Sequence, residues 1–294
     1  ENDNFNRLVI TAGADWREVA ALRAYATYLR QIGVPFGFRY IGETLNRHAG
    51  VARDFLELFH TRFDPDRRWT REQRAEAEQR IRKRIQGALG QVASLDEDRI
   101  LRHYLSLISA TVRTNFFQRD EKGRPPATIA FKFAPEFIEG LPEPKPYREI
   151  WVYSPRVEGV HLRFAPIARG GIRWSDRAQD FRTEVLGLAK AQQVKNTVIV
   201  PQGAKGGFVP KQLPRSGSRG EIAKEGLAAY RAFISSMLDI TDNIVGGEIV
   251  PPDRVVRHDG DDPYLVVAAD KGTATFSDPA NEISLQHNYW LGDA

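Results

Sequence analysis

The 294-residue chain is 41% hydrophobic and 27% charged with a formal net charge of +4, the balance of an ordinary soluble globular protein with length for one large or two medium domains. That charge is too small to argue by itself for nucleic acid or a membrane surface. The lack of cysteine excludes a disulfide framework, a thiolate metal site and a cysteine nucleophile. No apolar run approaches the ~20 residues needed to cross a bilayer, and no signal-peptide pattern opens the chain, so a cytoplasmic location is the expectation. The chain opens at Glu1 without a methionine and stops at Trp290-Leu291-Gly292-Asp293-Ala294, which reads as a piece of something longer.

Residues 1 to about 118 carry helical patterns. Asp15 is placed to cap a helix with Trp16, Val19, Ala20, Leu22, Ala26, Leu29 and Ile32, ended by Gly33 and Pro35. A second pattern through Tyr40, Ile41, Leu45, Val51, Phe55, Leu58, Phe59 and Phe63 stops at Asp64-Pro65. Thr70-Arg71-Glu72-Gln73 has the form of a capping box. The segment 71–90 that follows interleaves six Lys or Arg with Glu72, Glu76 and Glu78, which fits a solvated face of alternating charge better than a nucleic-acid stripe. From Ser94 a further helix, with Ile100, Leu101, Tyr104, Leu107, Ile108 and Val112, is expected to reach about Phe117.

A turn-rich link at 119–126 changes the pattern, and the domain boundary is placed at about 120. Beyond it come short β-type runs, Thr128 to Phe133, Ile150 to Tyr153 and Val160 to Phe164. A helix over 176–195, a strand over 197–200, a helix over 221–239 and a strand over 264–268 follow. Strands alternating with helices predict an α/β fold with a mixed, mainly parallel sheet behind a helical segment. Ser277-Asp278-Pro279 reads as a last helix start with Asp278 as its cap.

The most informative stretch runs from Arg169 to Gly207. It opens with Arg169-Gly170-Gly171-Ile172-Arg173, expected as a cationic glycine turn, and closes with Gly203-Ala204-Lys205-Gly206-Gly207, expected as a second one. A lysine held there with little bulk around its amine is a candidate for chemistry, since a partly desolvated amine loses its proton more easily. In α/β sheets ligands bind at the carboxyl ends of strands. Lys205 and Asp270 both follow predicted strands, so one crevice can hold both.

Four ordered pieces, Arg169 to Arg173, Gln192-Gln193-Val194-Lys195, Pro201 to Gly207 and Ala268-Ala269-Asp270-Lys271-Gly272-Thr273, together resemble the substrate-binding core of glutamate dehydrogenases. More narrowly they resemble the large NAD-dependent enzymes of bacteria, most clearly from about 130 to 294. After the helical segment read over 1–120, the resemblance implies, over 121–294, a substrate-binding catalytic domain of the amino-acid dehydrogenase type. It implies oxidative deamination of L-glutamate to 2-oxoglutarate and ammonia, with NAD as hydride acceptor. Lys205 matches the catalytic lysine that activates water and stabilises the carbinolamine, and Asp270 the proton-shuttling aspartate. Lys195 matches the lysine on the substrate's α-carboxylate, with Gln192 one turn earlier on the same face. Gly170 and Gly171 belong to the same substrate-binding motif. Arg169 stands where smaller relatives of the family carry a lysine for the side-chain carboxylate. Arginine keeps the charge and adds a fork, and a cation there speaks for glutamate over leucine or valine.

No G-x-G-x-x-G, Walker A loop, H-E-x-x-H or G-x-S-x-G occurs. In the family that the chain resembles, the dinucleotide domain lies after the Trp290 to Ala294 segment. The resemblance therefore implies that it is downstream, no cofactor-binding residues are assigned within the chain, and the fragment by itself is expected to be inactive. The six histidines are scattered, and no metal site is expected. The resemblance also implies a homo-oligomer, with no nucleic-acid or membrane partner. Rival readings are another amino-acid dehydrogenase and a non-catalytic binding module built on the arginine-rich helix.

Overall fold

Strong local capping signals set the N-terminal helices. The structure is a computed structural model that describes residues 2–195 and 203–292, without side chains at 193–195. In it the Asp15 carboxylate accepts from the N–H groups of Arg17 and Glu18 while Glu18 reaches back to the Asp15 N–H. Thr70 and Gln73 make the same reciprocal pair. Two compact units result, residues 1–111 with 137–140, and residues 112–136 with 141–294.

The first unit holds α1 (Leu8–Thr11), α2 (Trp16–Gln31), α3 (Phe38–Arg47), α4 (Ala49–Phe63), α5 (Arg71–Leu89) and α6 (Leu95–Ala110). The pattern over 40–63 is two helices, broken at His48. On α5, Ala77, Ile81, Ile85 and Leu89 recur every four residues and are buried, each isoleucine contributing roughly 1.5–3 kcal/mol. Several cations of α5 are engaged inside the unit, while Arg71, Arg80 and Lys83 are exposed. Arg84 pairs with Asp54 and Glu57, and Arg74 is buried on the backbone carbonyls of Thr61, Asp64 and Arg67. The sixth helix stops at Ala110 rather than near Phe117, and Thr111–Thr114 is strand β1. Thr111, Val112 and Thr114 are β-branched, and such side chains lose χ1 freedom in a helix.

The second unit is built on a mixed seven-stranded sheet, so the chain is α/β with a helical part first. Its further strands are β2 (Ile129–Phe133), β3 (Arg148–Tyr153), β4 (Val157–Arg163), β5 (Gly170–Trp174), β6 (Ala204–Pro210) and, after a separate hairpin β7 (Asn243–Val245) and β8 (Glu248–Val250), β9 (Val267–Ala269). The order is β1-β2-β3-β4-β6-β5-β9. β2, β3, β4 and β6 pair antiparallel, whereas β6, β5 and β9 are parallel to one another. The parallel part thus coincides with the strands of the Arg169–Asp270 motifs.

Both glycine-rich segments expected as turns lie in strands, Gly170 to Arg173 in β5 and Ala204 to Gly207 in β6. Packing explains the glycines. A Cβ on Gly170 would lie 1.4 Å from the Ala204 carbonyl oxygen of β6, so no other residue fits between these strands. The expected strand over 197–200 falls outside the described residues.

Helix α7 (Phe181–Lys195) and helix α8 (Arg219–Leu238) cover the sheet. Alternation along the strands assigns their faces. Ile150, Val152, Ile172 and Phe208 pack with Ala229, Phe233 and Met237 of α8. Trp151 stacks on Phe181 of α7 at 5.7 Å, and a Cβ on Gly207 would meet Val185 of α7. Helix α7 begins at Phe181, later than expected, because Ser175 to Asp180 form a turn in which Ser175 Oγ accepts the Arg177 N–H and Arg177 pairs with Asp180. Helix α9 (Ser277–Gln286) has Phe276, not Asp278, at its cap position, so Asp278 and Pro279 sit inside its first turn.

The irregular run between β8 and β9 is tied to the sheet by charge. Arg113 of β1 is fully buried and grips Asp242 at 2.8 and 3.0 Å and Asp259 at 2.7 Å; Lys132 of β2 reaches Asp259 and Asp262, each at 2.7 Å. Buried pairs of this kind add little net stability over an apolar core, but one conformation satisfies them.

Candidate functional site

Lys205 is the second residue of β6 and Asp270 is the first residue after β9, with β5 between the two strands. Alternation points Lys205 and Gly207 to the α7 face, together with Gly171 and Arg173 of β5. Across β5 the Lys205 Nζ donates to Asp270 Oδ2 at 2.9 Å, and the two side chains are only 19% and 16% exposed.

Gly171 makes that reach possible. It is paired with Ala268 of β9 and precedes the Ile172–Gly206 pair of β5 and β6. A Cβ there would come within 2.8 Å of both the Ala269 carbonyl and the Asp270 Cβ, and within 3.1 Å of Asp270 Oδ2, the atom that accepts from Lys205. The middle strand therefore has to be bare at this point.

Charges alternate outward from the pair. Arg173 Nη2 lies 3.5 Å from Asp270 Oδ1, its Nη1 donates to Glu184 Oε1 at 3.0 Å, and Ser175 donates to Glu184 Oε2 at 2.7 Å. The Arg173 Nε is buried with no acceptor among the described residues. Asp270 is further held by the Lys271 N–H at 2.6 Å, while its own N–H donates to Thr273 Oγ1 at 3.0 Å. Burial works to raise the Asp270 pKa. The hydrogen bonds from Lys205 and the Lys271 N–H, with the charges of Lys205 and Arg173, outweigh it and hold the carboxyl below its ordinary value.

The remaining expected site residues are placed as follows. Arg169 is exposed at the entrance to β5, and its carbonyl accepts from Gln192 Nε2 at 3.4 Å and from the Ala204 N–H at 3.4 Å. The Gln192 side chain lies against Gly203, where a Cβ would meet its Oε1 at 2.3 Å, and that oxygen is buried without a partner among the described residues. The Lys195 side chain is outside the described residues. Arg173, Glu184 and Ser175 are additions. Asp180, nearer in sequence than Glu184, belongs to Arg177, and only the fold brings Glu184 to Arg173.

No group of three or more His, Asp or Glu among the described residues could hold a metal ion. The glycines of the site do not fit a dinucleotide either. Positions 170, 171, 206 and 207 are filled by the Ala204 and Ala269 carbonyls, Ile172 and Val185, which leaves no backbone cradle for a pyrophosphate. The arrangement suits proton transfer beside a bound anion, with an amine and a carboxylate in contact and further cations around them.

Comparison with known proteins gives this geometry a family. A family model described as the catalytic domain of bacterial NAD-glutamate dehydrogenase matches residues 84–294, and one described as helical motif 3 of glutamate dehydrogenase matches residues 1–65. The chain is 62% identical over its whole length to a protein of Pseudomonas aeruginosa and 58% identical to one of Halomonas elongata, each named NAD-specific glutamate dehydrogenase. A Mycobacterium tuberculosis protein of the same name is 51% identical, again over the whole chain. The chain spans 18% of the length of each of these relatives. With the Lys205–Asp270 pair lying inside the matched region, the chain belongs to the bacterial NAD-glutamate dehydrogenase family and carries its catalytic domain.

Proposed function

We propose that the protein containing this chain oxidatively deaminates L-glutamate to 2-oxoglutarate and ammonia, and that residues 121–294 supply substrate binding and acid/base chemistry behind a helical segment over 1–120. The observation that carries this reading is the contact of Lys205 with Asp270 across the bare position 171. The hydride acceptor is NAD, as in the names of the relatives, and when bound it takes the hydride from the substrate Cα. The chain's own residues do the rest. Arg169 and Lys195 hold the two carboxylates, because an anion taken out of water needs a cationic partner, and Gln192, Gly170 and Gly171 line the same pocket. Once Cα has lost its hydride the nitrogen is doubly bonded to it. Lys205, in its neutral form, takes a proton from the water that adds to that carbon and hands it across the 2.9 Å contact to Asp270, which delivers it to the nitrogen. The C–N bond then breaks and ammonia leaves as the carbinolamine hydroxyl gives its proton to Lys205 and becomes the carbonyl. A homo-oligomer in the cytoplasm, without nucleic acid or membrane as partner, belongs to the same reading.

Absorbance of NADH formed by the full-length protein tests it. Turnover of L-glutamate is expected to exceed that of L-leucine and L-valine, and substitution of Arg169 by Met should narrow the gap by raising KM for glutamate. Equal rates for substrates without a distal carboxylate overturn the choice of glutamate.

The bare middle strand is open to a sharper check. Gly171→Ala puts a methyl carbon against Asp270 and the Ala269 carbonyl, so the carboxylate has to move away from the amine. A displacement on the order of 1 Å costs about 100-fold in rate. We expect kcat for glutamate to fall by that order while the far-ultraviolet circular dichroism stays that of the wild type.

A further inference from the structure

Asp270 and Arg169 are both delivered by chain without regular structure, residues 251–266 before β9 and 164–169 before β5. Such segments have no ladder to fix them, so their backbone groups must find side-chain partners. In the stretch 262–265 they do. The Asp262 N–H donates to Asp242 Oδ2 at 2.7 Å, the Pro263 carbonyl accepts from Tyr289 Oη at 2.6 Å and Trp290 Nε1 at 2.7 Å, and the Leu265 N–H donates to Tyr289 Oη at 2.9 Å.

One guanidinium joins this strap to the other strands of the site. Arg163 ends β4 and is paired in register with Ala204, the residue before Lys205. Its side chain is 5% exposed. Its Nη1 lies 2.9 Å from Asp262 Oδ1, 2.9 Å from the Tyr264 carbonyl and 2.8 Å from the Pro166 carbonyl, and its Nη2 donates to Asp262 Oδ2. Pro166 lies three residues before Arg169, and Tyr264 six residues before Asp270. The single planar fork therefore meets the approaches to β5 and β9 while its backbone lies beside the start of β6.

From this geometry we infer that Arg163 is a positioning residue for the deamination, setting the separation of Lys205 and Asp270 and the placement of Arg169. The inference rests on the catalytic reading of the Lys205–Asp270 pair. Arginine is needed because a fork can serve a carboxylate and two carbonyls at once, whereas an ammonium is a point donor. Burial raises the Asp262 pKa, but the bond from Arg163 and the nearby Lys132 bring it down to about 2, so the fork's main partner is ionised throughout the working range.

Arg163→Lys in the full-length protein is the test, with Lys205→Met measured beside it. Lysine keeps a charge near Asp262, and Lys132 continues to pair with that carboxylate, so the melting temperature should stay within a few degrees of wild type. We expect kcat for glutamate to fall by about 10- to 100-fold, as for a displacement on the order of 1 Å, with KM changing less. The solvent deuterium isotope effect on kcat should rise as proton transfer becomes limiting, which loss of folded protein alone does not produce. A kcat within twofold of wild type, with Lys205→Met inactive, overturns the inference. An active Lys205→Met overturns the catalytic reading instead. Should Arg163→Lys fail to fold, Arg163→Gln, which offers an amide N–H to the same carbonyls, is judged by the same two readouts.

Discussion

Substitution of Lys205 by Met is expected to leave a folded full-length protein that turns over glutamate about 10²- to 10⁴-fold more slowly, the usual range for loss of a general acid or base. Methionine matches the length of the lysine stem and lies comfortably in β6, where the flanking residues Ala204 and Gly206 are buried. What disappears is, among the described residues, the only group in the proposed site that hydrogen-bonds to Asp270 Oδ2 and can both donate and take up a proton. Asp270 is not stranded, because Arg173 and the Lys271 N–H remain on its other oxygen. The loss should therefore fall on kcat, with glutamate binding held by Arg169 and Lys195. A small primary amine added to Lys205→Ala should restore part of the rate, since the cavity left by the side chain opens on the proposed pocket. A Lys205→Met protein with kcat within threefold of wild type would remove lysine from the chemistry altogether.

Most local signals were legible, the cap expected at Asp278 apart, and long-range ones were not. Asp15 and Thr70 start their helices where the capping patterns put them, because a cap is settled within four residues. Helix α6 overran in the sequence reading because Val112 continues an apolar period, whereas the β-branched run from Thr111 hands the chain to the sheet. The glycine segments misled for a different reason. Glycine at 170, 171, 206 and 207 suggests a turn when neighbours in sequence are considered, yet the demand comes from strands pressed against each other and from Asp270 reaching over position 171. Nor did anything local tie Arg173 to Glu184, or Arg163 to Asp262 and Tyr264. Such pairs are separated by up to 101 residues, and many carboxylates compete for each arginine until the fold has chosen.

Asp270→Asn is expected to lower kcat by about 100-fold or more and to change the response to acid. Asparagine keeps the shape, but its single oxygen can serve either Lys205 or the Arg173 and Lys271 N–H side, which leaves its NH2 facing donors on the other. It can neither carry the charge that faces the ammonium nor hold a transferable proton. In the folded wild type the Asp270 carboxyl sits below its ordinary value of 3.8 despite burial, because Lys205 and the Lys271 N–H bind the charged form and Arg173 adds its field. A carboxylate depressed on folding contributes stability that is fully present above its unfolded value and is lost as the pH falls through the folded one. The melting temperature of wild type should therefore exceed that of Asp270→Asn at pH 7, and the gap should shrink on acidification below 3.8. Activity and stability then separate the two roles of one side chain, since the kcat deficit persists at pH 7 whatever the gap in melting temperature. A gap that stays constant from pH 7 to about pH 3 would mean the charge of Asp270 contributes nothing to the fold, and the pairing with Lys205 would have to be weak in solution.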